Sequence, residues 1–521
     1  MNGPIPQAAY QKGVKHTAFM AVSSVARIIF GFLPHVLIAK LLGLGYATDS
    51  YLMAIAINQI IVKFFRIGTL PKIFIMVLSD DLLKDKTKTH SNINNFLNAL
   101  LLFSFLAMAL IYFLSPFLVD LIAKGFSADK KIFTIGISRI LIPLLFYQCV
   151  ISLFEGVFKL RNEFSSWAIL SVIPALLITV FVYLYTQKIG IYSMVYGTLA
   201  SSLVHLLFLT YFIFVKFRYA YRFELNFRHE LFPKALKLLF PYYLSSVPVQ
   251  VMLGVQSFLV SLLPTGFASV FFYARRIIDY VEQFSVNIFS QLMLPYFTKK
   301  ISDSSIGHIR KVYAQLICLT NYTHLPFLII LAVLGSQIVE ILFANKFTSP
   351  DIMNALGLTL SCFMVFFLAE PSNDVQFNII LAMKKTAWVN VVNTSRMAVV
   401  ILLSLVLFKY FKFWGLIFSY SLTHLQGFII NQWYLRRRHS FENIFHNPGF
   451  IKITLLNAAL GCMCFALNYF LMHNFPHEFL CQEIVIIGIV SGMSIAFYIG
   501  LSYLFKIEEL RTIQFILRPG H

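Results

Sequence analysis

Five basic residues fall inside long apolar segments, where a charge is costly and therefore marks a cavity or a partner. Arg27 lies in the first apolar segment, Lys63 and Arg66 in the second, and Arg275 and Arg276 early in the eighth. A Lys or Arg at the centre of a membrane helix costs roughly 2.5 to 3.5 kcal/mol on insertion scales. Guanidinium groups hold phosphate oxygens bidentately. The set therefore predicts a cationic cavity for a ligand with an anionic head and an apolar tail.

The same residues have simpler explanations that the sequence leaves open. Arg275 and Asp279 are four positions apart and can form an ordinary ion pair on one helix face. Lys63 and Arg66 can instead extend their apolar stems towards the membrane surface. The acidic residues nearest to the cations are candidates for pairing with them or for gating: Asp49, Asp279 and Glu282.

Other reactive side chains give weaker indications. Asp81 and Asp85 have the DxxxD spacing that prenyl-transfer enzymes use for magnesium and pyrophosphate, but they stand in a lysine-rich loop without a second copy. The six cysteines lie mostly inside apolar helices and predict neither a disulfide framework nor a metal site. We expect no metal and no cofactor. Three histidines are interpreted as packing residues, and three glutamates are candidates for a coupling ion among which the sequence does not choose: His35, His205, His424, Glu155, Glu340 and Glu370.

The composition indicates that lipid surrounds these residues. Of 521 residues, 59% are hydrophobic and 12% are charged, whereas about a quarter of an ordinary soluble domain is charged. Apolar runs long enough to cross about 30 Å of hydrocarbon recur along nearly the whole chain. We therefore predict an all-α integral membrane protein with about fourteen transmembrane helices. The net charge of +20 is spread over many loops, which argues against a nucleic-acid partner.

Lysine and arginine are concentrated in alternate loops, in a ratio of roughly 26 to roughly 8, which places both termini in the cytoplasm and requires an even number of spans. Five of the predicted spans run from Ile132 to Phe158, Thr323 to Phe343, Ile352 to Met383, Trp388 to Phe408 and Trp414 to Tyr434.

The chain matches itself at a constant offset of about 221 residues. Gly45-Tyr46-Ala47 pairs with Gly266-Phe267-Ala268, and Trp167 pairs with Trp388. Each half holds six predicted spans, so the two halves enter the membrane with the same polarity, and parallel-repeat transporters bind substrate between such halves. The predicted domains are an N-lobe at 1–217, a basic cytoplasmic linker at 218–235, a C-lobe at 236–438, and two further helices with a cytoplasmic tail at 439–521.

Several short motifs in order resemble the MurJ/MviN lipid II flippase family, within the group of multidrug, oligosaccharidyl-lipid and polysaccharide exporters. They are Ala26-Arg27, Gly43-x-Gly45-x-Ala47-Thr48-Asp49, Lys124-Gly125-Phe126, Leu263-Pro264-x-Gly266, Tyr273-Ala274-Arg275-Arg276 and Leu294-Pro295. The resemblance covers roughly residues 15 to 440 and implies two six-helix lobes around a cationic cavity. It implies that Arg27, Lys63 and Arg276 face the pyrophosphate of an undecaprenyl-linked saccharide and that Asp49 lies near the outer gate. Arg275 stands where the family has the Asp of its YADR motif.

These observations predict a flippase, not an enzyme, in the bacterial plasma (inner) membrane. It would move a polyprenyl-pyrophosphate-linked saccharide resembling lipid II from the inner to the outer leaflet by alternating access, with membrane lipids around it. Na+, H+ or the membrane potential remain open as the energy source.

Three alternatives are weighed against this prediction. The first is a flippase for exopolysaccharide or O-antigen precursors. The second is a MATE-like small-molecule antiporter, for which an acidic cavity is expected. The third is a membrane prenyl- or glycosyltransferase, which needs clustered carboxylates.

Overall fold

The structure is a computed structural model that describes residues 7–64, 86–161, 163–219, 221–226, 231–283, 306–474 and 480–510. Every regular element in these ranges is helical. Ten of the helical segments so described are long and apolar enough to cross a membrane. The prediction of an all-α, multi-pass membrane protein is confirmed, whereas the number of about fourteen spans stays a prediction.

The chain divides into two compact units, Met1–Ser269 and Val270–His521. The lobe limits that the repeat suggests stay a prediction. The helices of the first unit are α1 Gln7–Leu42, α2 Tyr46–Phe64, α3 Lys86–Ile122, α4 Ala128–Leu141, α5 Pro143–Leu160, α6 Phe164–Leu170, α7 Ile173–Ile189, α8 Tyr192–Tyr211, which a π turn extends to Lys216, and α9 Leu231–Ser261.

Within this unit α1 packs on α7, and α2 packs on both α4 and α9. Helix α9 belongs to this unit, whereas the repeat predicts that it lies in the C-lobe.

The second unit begins within the first turn of α10 Phe267–Glu282. Its other helices are α11 Ile306–Val333, α12 Gly335–Phe343, α13 Pro350–Phe367, α14 Glu370–Ala382, α15 Thr386–His439, α16 Pro448–Asn474 and α17 Leu480–Leu504. Helix α11 packs on α13, α14 and α16, and α14 packs on α15.

Proline divides two of the predicted spans into pairs of helices. The span predicted from Ile132 to Phe158 consists of α4 and α5, which meet at Ile142 just before Pro143. The span predicted from Ile352 to Met383 consists of α13 and α14, with Pro371 in the first turn of α14. Proline has no N–H to donate and its ring clashes with the preceding turn, so a new helix starts there.

A break inside α15 separates two predicted spans. Lys412 has a left-handed φ of 48° in the middle of this 54-residue helix. A Cβ at Gly415 would lie 2.3 Å from the carbonyl oxygen of Leu407, so only glycine permits the close approach after the break. The two halves correspond to the spans predicted from Trp388 to Phe408 and from Trp414 to Tyr434, and this boundary is confirmed.

The internal repeat is visible in the starts of corresponding helices. Ser127 caps α4 by accepting from the Lys130 amide, and Ser349 caps α13 by accepting from the Ile352 amide. The two serines are 222 positions apart, as are the first residues of α6 and α15. The same capping chemistry at the same interval supports the repeat.

A short linker after α8 is held against α3 by asparagines that would otherwise be unpaired in an apolar helix. Tyr221 donates to the Asn98 side-chain oxygen (2.6 Å), and the Asn98 amide donates to the Glu224 carbonyl (2.9 Å). Tyr219 donates to Asn94 at 2.5 Å. Burial, followed by the nearby Glu224 carboxylate, raises the pKa of the Tyr219 phenol, which therefore keeps the proton it donates.

Candidate functional site

Two of the predicted binding cations of the first unit lie at exposed positions. Arg27 is exposed on α1, and Lys63 is exposed in the last turn of α2. A cation in the last turn of a helix also complements the negative end of the helix dipole. Arg66, like Asp81 and Asp85, lies outside the described residues. The charged groups of Arg27 and Lys63 are therefore accessible at the surface of α1 and α2.

The predicted cations of the second unit both lie on α10. Arg275 and Arg276 are partly buried, and the Arg275 guanidinium lies 4.8 Å from the centre of the Tyr420 ring on α15. A guanidinium over an aromatic face is stabilised by the ring quadrupole. Asp279, the partner in the simpler explanation for Arg275, is exposed.

Asp49 lies at the centre of a buried polar cluster in the first unit. Its backbone position is set by a turn after α1, in which Gly43 has a left-handed φ of 76° and the Thr48 hydroxyl donates to the Gly43 carbonyl at 2.6 Å. The Asp49 side chain is 1% exposed and pairs with Lys130 Nζ on α4 at 2.8 Å. The carboxylate therefore links α2 to α4.

The same carboxylate caps the start of α10. Oδ2 accepts from the Gly266 amide at 2.8 Å, while Oδ1 accepts from the Ser269 amide at 2.8 Å and from its hydroxyl at 2.5 Å. These amides belong to the residue before α10 and to its third residue, which have no partner inside the helix. With Lys130, Asp49 accepts four hydrogen bonds. A buried carboxylate that is paired and fully hydrogen-bonded is stable where a bare one is not.

Lys130 was missed in the sequence because it stands beside exposed charges after the Phe126 turn. Its ammonium lies 4.1 Å from the centre of the Phe126 ring, which shields it from water. Its pairing with Asp49, 81 positions away, depends on helix packing and left no signal in the sequence.

A second buried charge cluster lies in the second unit, and the sequence identified only two of its members. Glu370 Oε2 lies 2.8 Å from His424 Nδ1 and 3.5 Å from Arg396 Nη2. Arg396 Nη2 lies 3.3 Å from the same His424 Nδ1. Asn373 donates to the other carboxylate oxygen at 3.2 Å. The side chains of Glu370, Arg396 and His424 are all less than 15% exposed.

Gly427 makes room for Arg396 in this cluster. A Cβ at Gly427 would lie 3.3 Å from Cδ and Cζ of Arg396. Sequence inspection overlooked Arg396, although it is the only Lys or Arg between Trp388 and Phe408. An isolated basic residue in an apolar span was the signal that could have found it.

Two other glutamates and one other histidine that the sequence singled out lie outside the two charged clusters. Glu155 pairs with Lys159 on the same helix, and Glu340 is exposed. His205 is buried against Trp167, with the ring centres 6.0 Å apart. In the described part of the chain, no group of three His, Cys, Asp or Glu side chains has the geometry to hold a metal ion.

Comparison with known proteins gives a consistent result. Residues 38–490 match a family model described as "Lipid II flippase MurJ". The chain is 24% identical over 501 residues to the "Probable lipid II flippase MurJ" of Rickettsia prowazekii, covering 93% of this chain and 96% of that one. It is also 24% identical over 518 residues to the protein of the same name from Buchnera aphidicola subsp. Schizaphis graminum, with 94% and 96% covered.

Solved structures show the same fold. A "Lipid II flippase MurJ, inward closed conformation" superposes with a TM-score of 0.77 at 20% identity, covering 92% of this chain and 99% of that one. An inward-facing multidrug transporter of the MATE family superposes with a TM-score of 0.64 at 14% identity, covering 79% and 97%. The fold of the chain is therefore more similar to the MurJ structure than to the MATE structure.

Proposed function

Because a lipid II flippase family model matches residues 38–490, the chain belongs to the MurJ family, and we propose that it moves lipid II from the inner to the outer leaflet of the bacterial plasma membrane. That match is the observation that carries the proposal, because it spans most of both units. The resemblance noted in the sequence is thereby confirmed. Movement between leaflets breaks no covalent bond, so the protein acts as a transporter without catalytic residues.

The lipid II headgroup carries a pyrophosphate, and the role proposed for the predicted cations is to hold it. Arg27, Lys63 and Arg276 replace water around the diphosphate, with Arg275 and Arg66 as further basic groups. Arginine suits this task because its planar fork meets two phosphate oxygens at once. The undecaprenyl tail stays in lipid while the headgroup crosses. The transporter alternates access to the two sides, with both termini in the cytoplasm.

Asp49 is proposed to gate the outer side of this path. Its carboxylate joins α2, α4 and the first turn of α10 through four hydrogen bonds. A transporter that opens outward must separate helices at that side, and a contact of this kind holds them together until it is broken.

The test is headgroup translocation in proteoliposomes. We expect Arg27→Ala and Arg276→Ala, each made alone, to slow the movement of lipid II headgroups while leaving membrane insertion intact. Losing a hydrogen bond to a charged group costs about 1.5 to 3 kcal/mol, which is roughly ten- to hundredfold in rate. The readout is the fraction of lipid II accessible to an enzyme added outside.

Arg437→Ala is the matched control, since Arg437 is an exposed arginine in the last turn of α15. It should flip lipid II at the wild-type rate. Wild-type rates in both Arg27→Ala and Arg276→Ala would reject the assigned binding residues. Absence of translocation by the wild-type protein would reject the proposed function.

A further inference from the structure

We propose that Glu370, His424 and Arg396 form the proton-binding site that couples headgroup movement to the proton gradient. The inference rests on the proposed function and names its energy source. It starts from a contact that cannot be satisfied in full: one imidazole nitrogen faces both an acid and a base.

His424 Nδ1 lies 2.8 Å from a carboxylate oxygen of Glu370 and 3.3 Å from Nη2 of Arg396. With a hydrogen on Nδ1, the imidazole donates to Glu370 and its N–H opposes the guanidinium. Without that hydrogen, the nitrogen accepts from Arg396 and its lone pair opposes the carboxylate. The shorter distance favours the hydrogen on Nδ1, which leaves the Nε2 lone pair to take a second proton.

Arg396 is itself incompletely satisfied. Its Nε is buried and has no hydrogen-bond acceptor among the described residues. A buried donor without an acceptor costs free energy, so the guanidinium gains if the cluster rearranges.

The charges around the cluster favour binding of a proton. Helix α10 contributes acids and a base, since Glu282 experiences the charges of Glu370 and Arg396 and Arg275 lies over the Tyr420 ring beside His424. The charges nearby are the carboxylates of Glu370, Glu282, Asp279 and Asp374 and the guanidinium groups of Arg396, Arg275 and Arg276. The nearest carboxylate to His424 is that of Glu370, at 2.8 Å, and its attraction favours a proton on the imidazole.

Neutral side chains of α11 and of the end of α13 also pack around these residues. Asn321 of α11 accepts from Ser372, and Phe367 of α13 packs edge-on against the His424 ring. The mobile charge of the proposal is a proton on His424, which meets the Glu370 carboxylate on one side and the Arg396 guanidinium on the other.

Glu370, Arg396 and His424 stand on three helical segments that are separated by breaks. Glu370 begins α14 directly after the break that follows α13, whereas Arg396 and His424 lie on either side of the break at Lys412 in α15. A proton on His424 strengthens its attraction to Glu370 and sets it against Arg396. The change in charge therefore pulls two segments together and pushes two apart, which is what a coupled transporter requires.

The coupling step is a proton transfer without other chemistry. A water-borne proton from the outer side binds an imidazole nitrogen of His424, and the same N–H bond breaks when the proton leaves to the inner side. One inward proton per outward headgroup makes a gradient of one pH unit worth about a tenfold bias in leaflet distribution.

The experiment measures this bias in proteoliposomes that contain the full chain and lipid II. With the outer side acidic by one pH unit, the wild-type protein should enrich headgroups in the leaflet facing the acid about tenfold over the value without a gradient. His424→Asn and Glu370→Gln should lose the enrichment and still equilibrate headgroups between leaflets. Glu340→Gln, an exposed carboxylate of the same unit, is the matched control and should keep it.

Proton uptake by the purified protein gives a second reading. On acidification, the wild-type chain should take up one proton more than His424→Asn. Headgroup movement without enrichment in the wild type would overturn the coupling and leave the proposed function standing. Enrichment that persists in a folded His424→Asn variant, or equal proton uptake by both, would also overturn it. Absence of any headgroup movement in the wild type would overturn both proposals.

Discussion

At the residue scale, the burial of a charged group decides what a substitution does. Two adjacent lysines on α4 illustrate this. Lys130 pairs with Asp49, and the two side chains are 6% and 1% exposed, whereas Lys131 pairs with Asp120, which is 70% exposed. The buried pair has lost its water and depends on its partners, whereas the exposed pair exchanges freely with solvent.

We therefore expect Lys130→Met to destabilise the protein by about 3 to 5 kcal/mol, because Asp49 is left buried without its cation. Lys131→Met, one position away, should cost at most about 1 kcal/mol. Thermal unfolding in detergent, followed with a dye that reacts with thiols, reports the difference, since Cys149, Cys318 and Cys464 are buried and become reactive on unfolding. Equal unfolding temperatures for the two variants would contradict the importance given to the buried pair.

The residues found from the sequence are those whose type is unusual for their surroundings. Arg27, Arg275 and Arg276 stood out as cations in apolar segments, and Asp49 stood out through its Gly-x-Ala turn. Arg396 met the same criterion and was overlooked, whereas Lys130 stands beside exposed charges and its partner is 81 positions away. Pairing over such distances depends on how helices pack, which composition and periodicity do not contain.

At the element scale, helix starts were predictable where a cap or a proline sets them. The Ser127 cap and the Pro143 start follow local rules. Whether a proline ends a span or only divides it was not predictable, because that depends on neighbouring helices that satisfy the open carbonyls. The single spans predicted around Pro143 and Pro371 are therefore two helices each.

The linker after α8 gives a prediction at this scale. Asn98→Leu removes the acceptor of Tyr221 and the donor to the Glu224 carbonyl. Two lost hydrogen bonds of about 1 kcal/mol each should raise the population of the detached linker roughly tenfold or more. Trypsin cleavage after the exposed Arg222 measures it.

The control for this experiment is Asn474→Leu, because Asn474 donates to the Phe470 carbonyl of its own helix. Its linker should be cleaved at the wild-type rate. Unchanged cleavage in Asn98→Leu would mean that the asparagines of α3 do not hold the linker.

At the scale of the whole molecule, the fold class and the family were within reach of the sequence. Hydropathy alone indicates a chain that needs lipid. The ordered motifs from Gly43 to Arg276 lie within the residues that the family model matches, and Arg27 precedes those residues. The exact number of spans was not, because hydropathy does not show where a proline divides a helix. The identity of the glycan also leaves no trace in the apolar spans.

Complementation addresses the glycan. In a bacterium depleted of its own lipid II flippase, the wild-type chain should restore growth, and Arg27→Ala should not. The physical reason is that peptidoglycan synthesis outside the cell stops when the headgroup cannot cross. Rescue of a strain that lacks an exported-polysaccharide flippase, with no rescue of the depleted strain, would assign the protein to the other substrate.

The central claim is that Arg27 and Arg276 hold the diphosphate of the lipid, and native mass spectrometry of the purified protein tests it most directly. Undecaprenyl pyrophosphate and undecaprenyl phosphate compete for the protein at equal concentrations. We predict that the wild type and Arg437→Ala prefer the pyrophosphate by about tenfold, as expected for additional charged hydrogen bonds. Arg27→Ala and Arg276→Ala should each lose most of that preference. An equal preference in all four proteins would contradict the account.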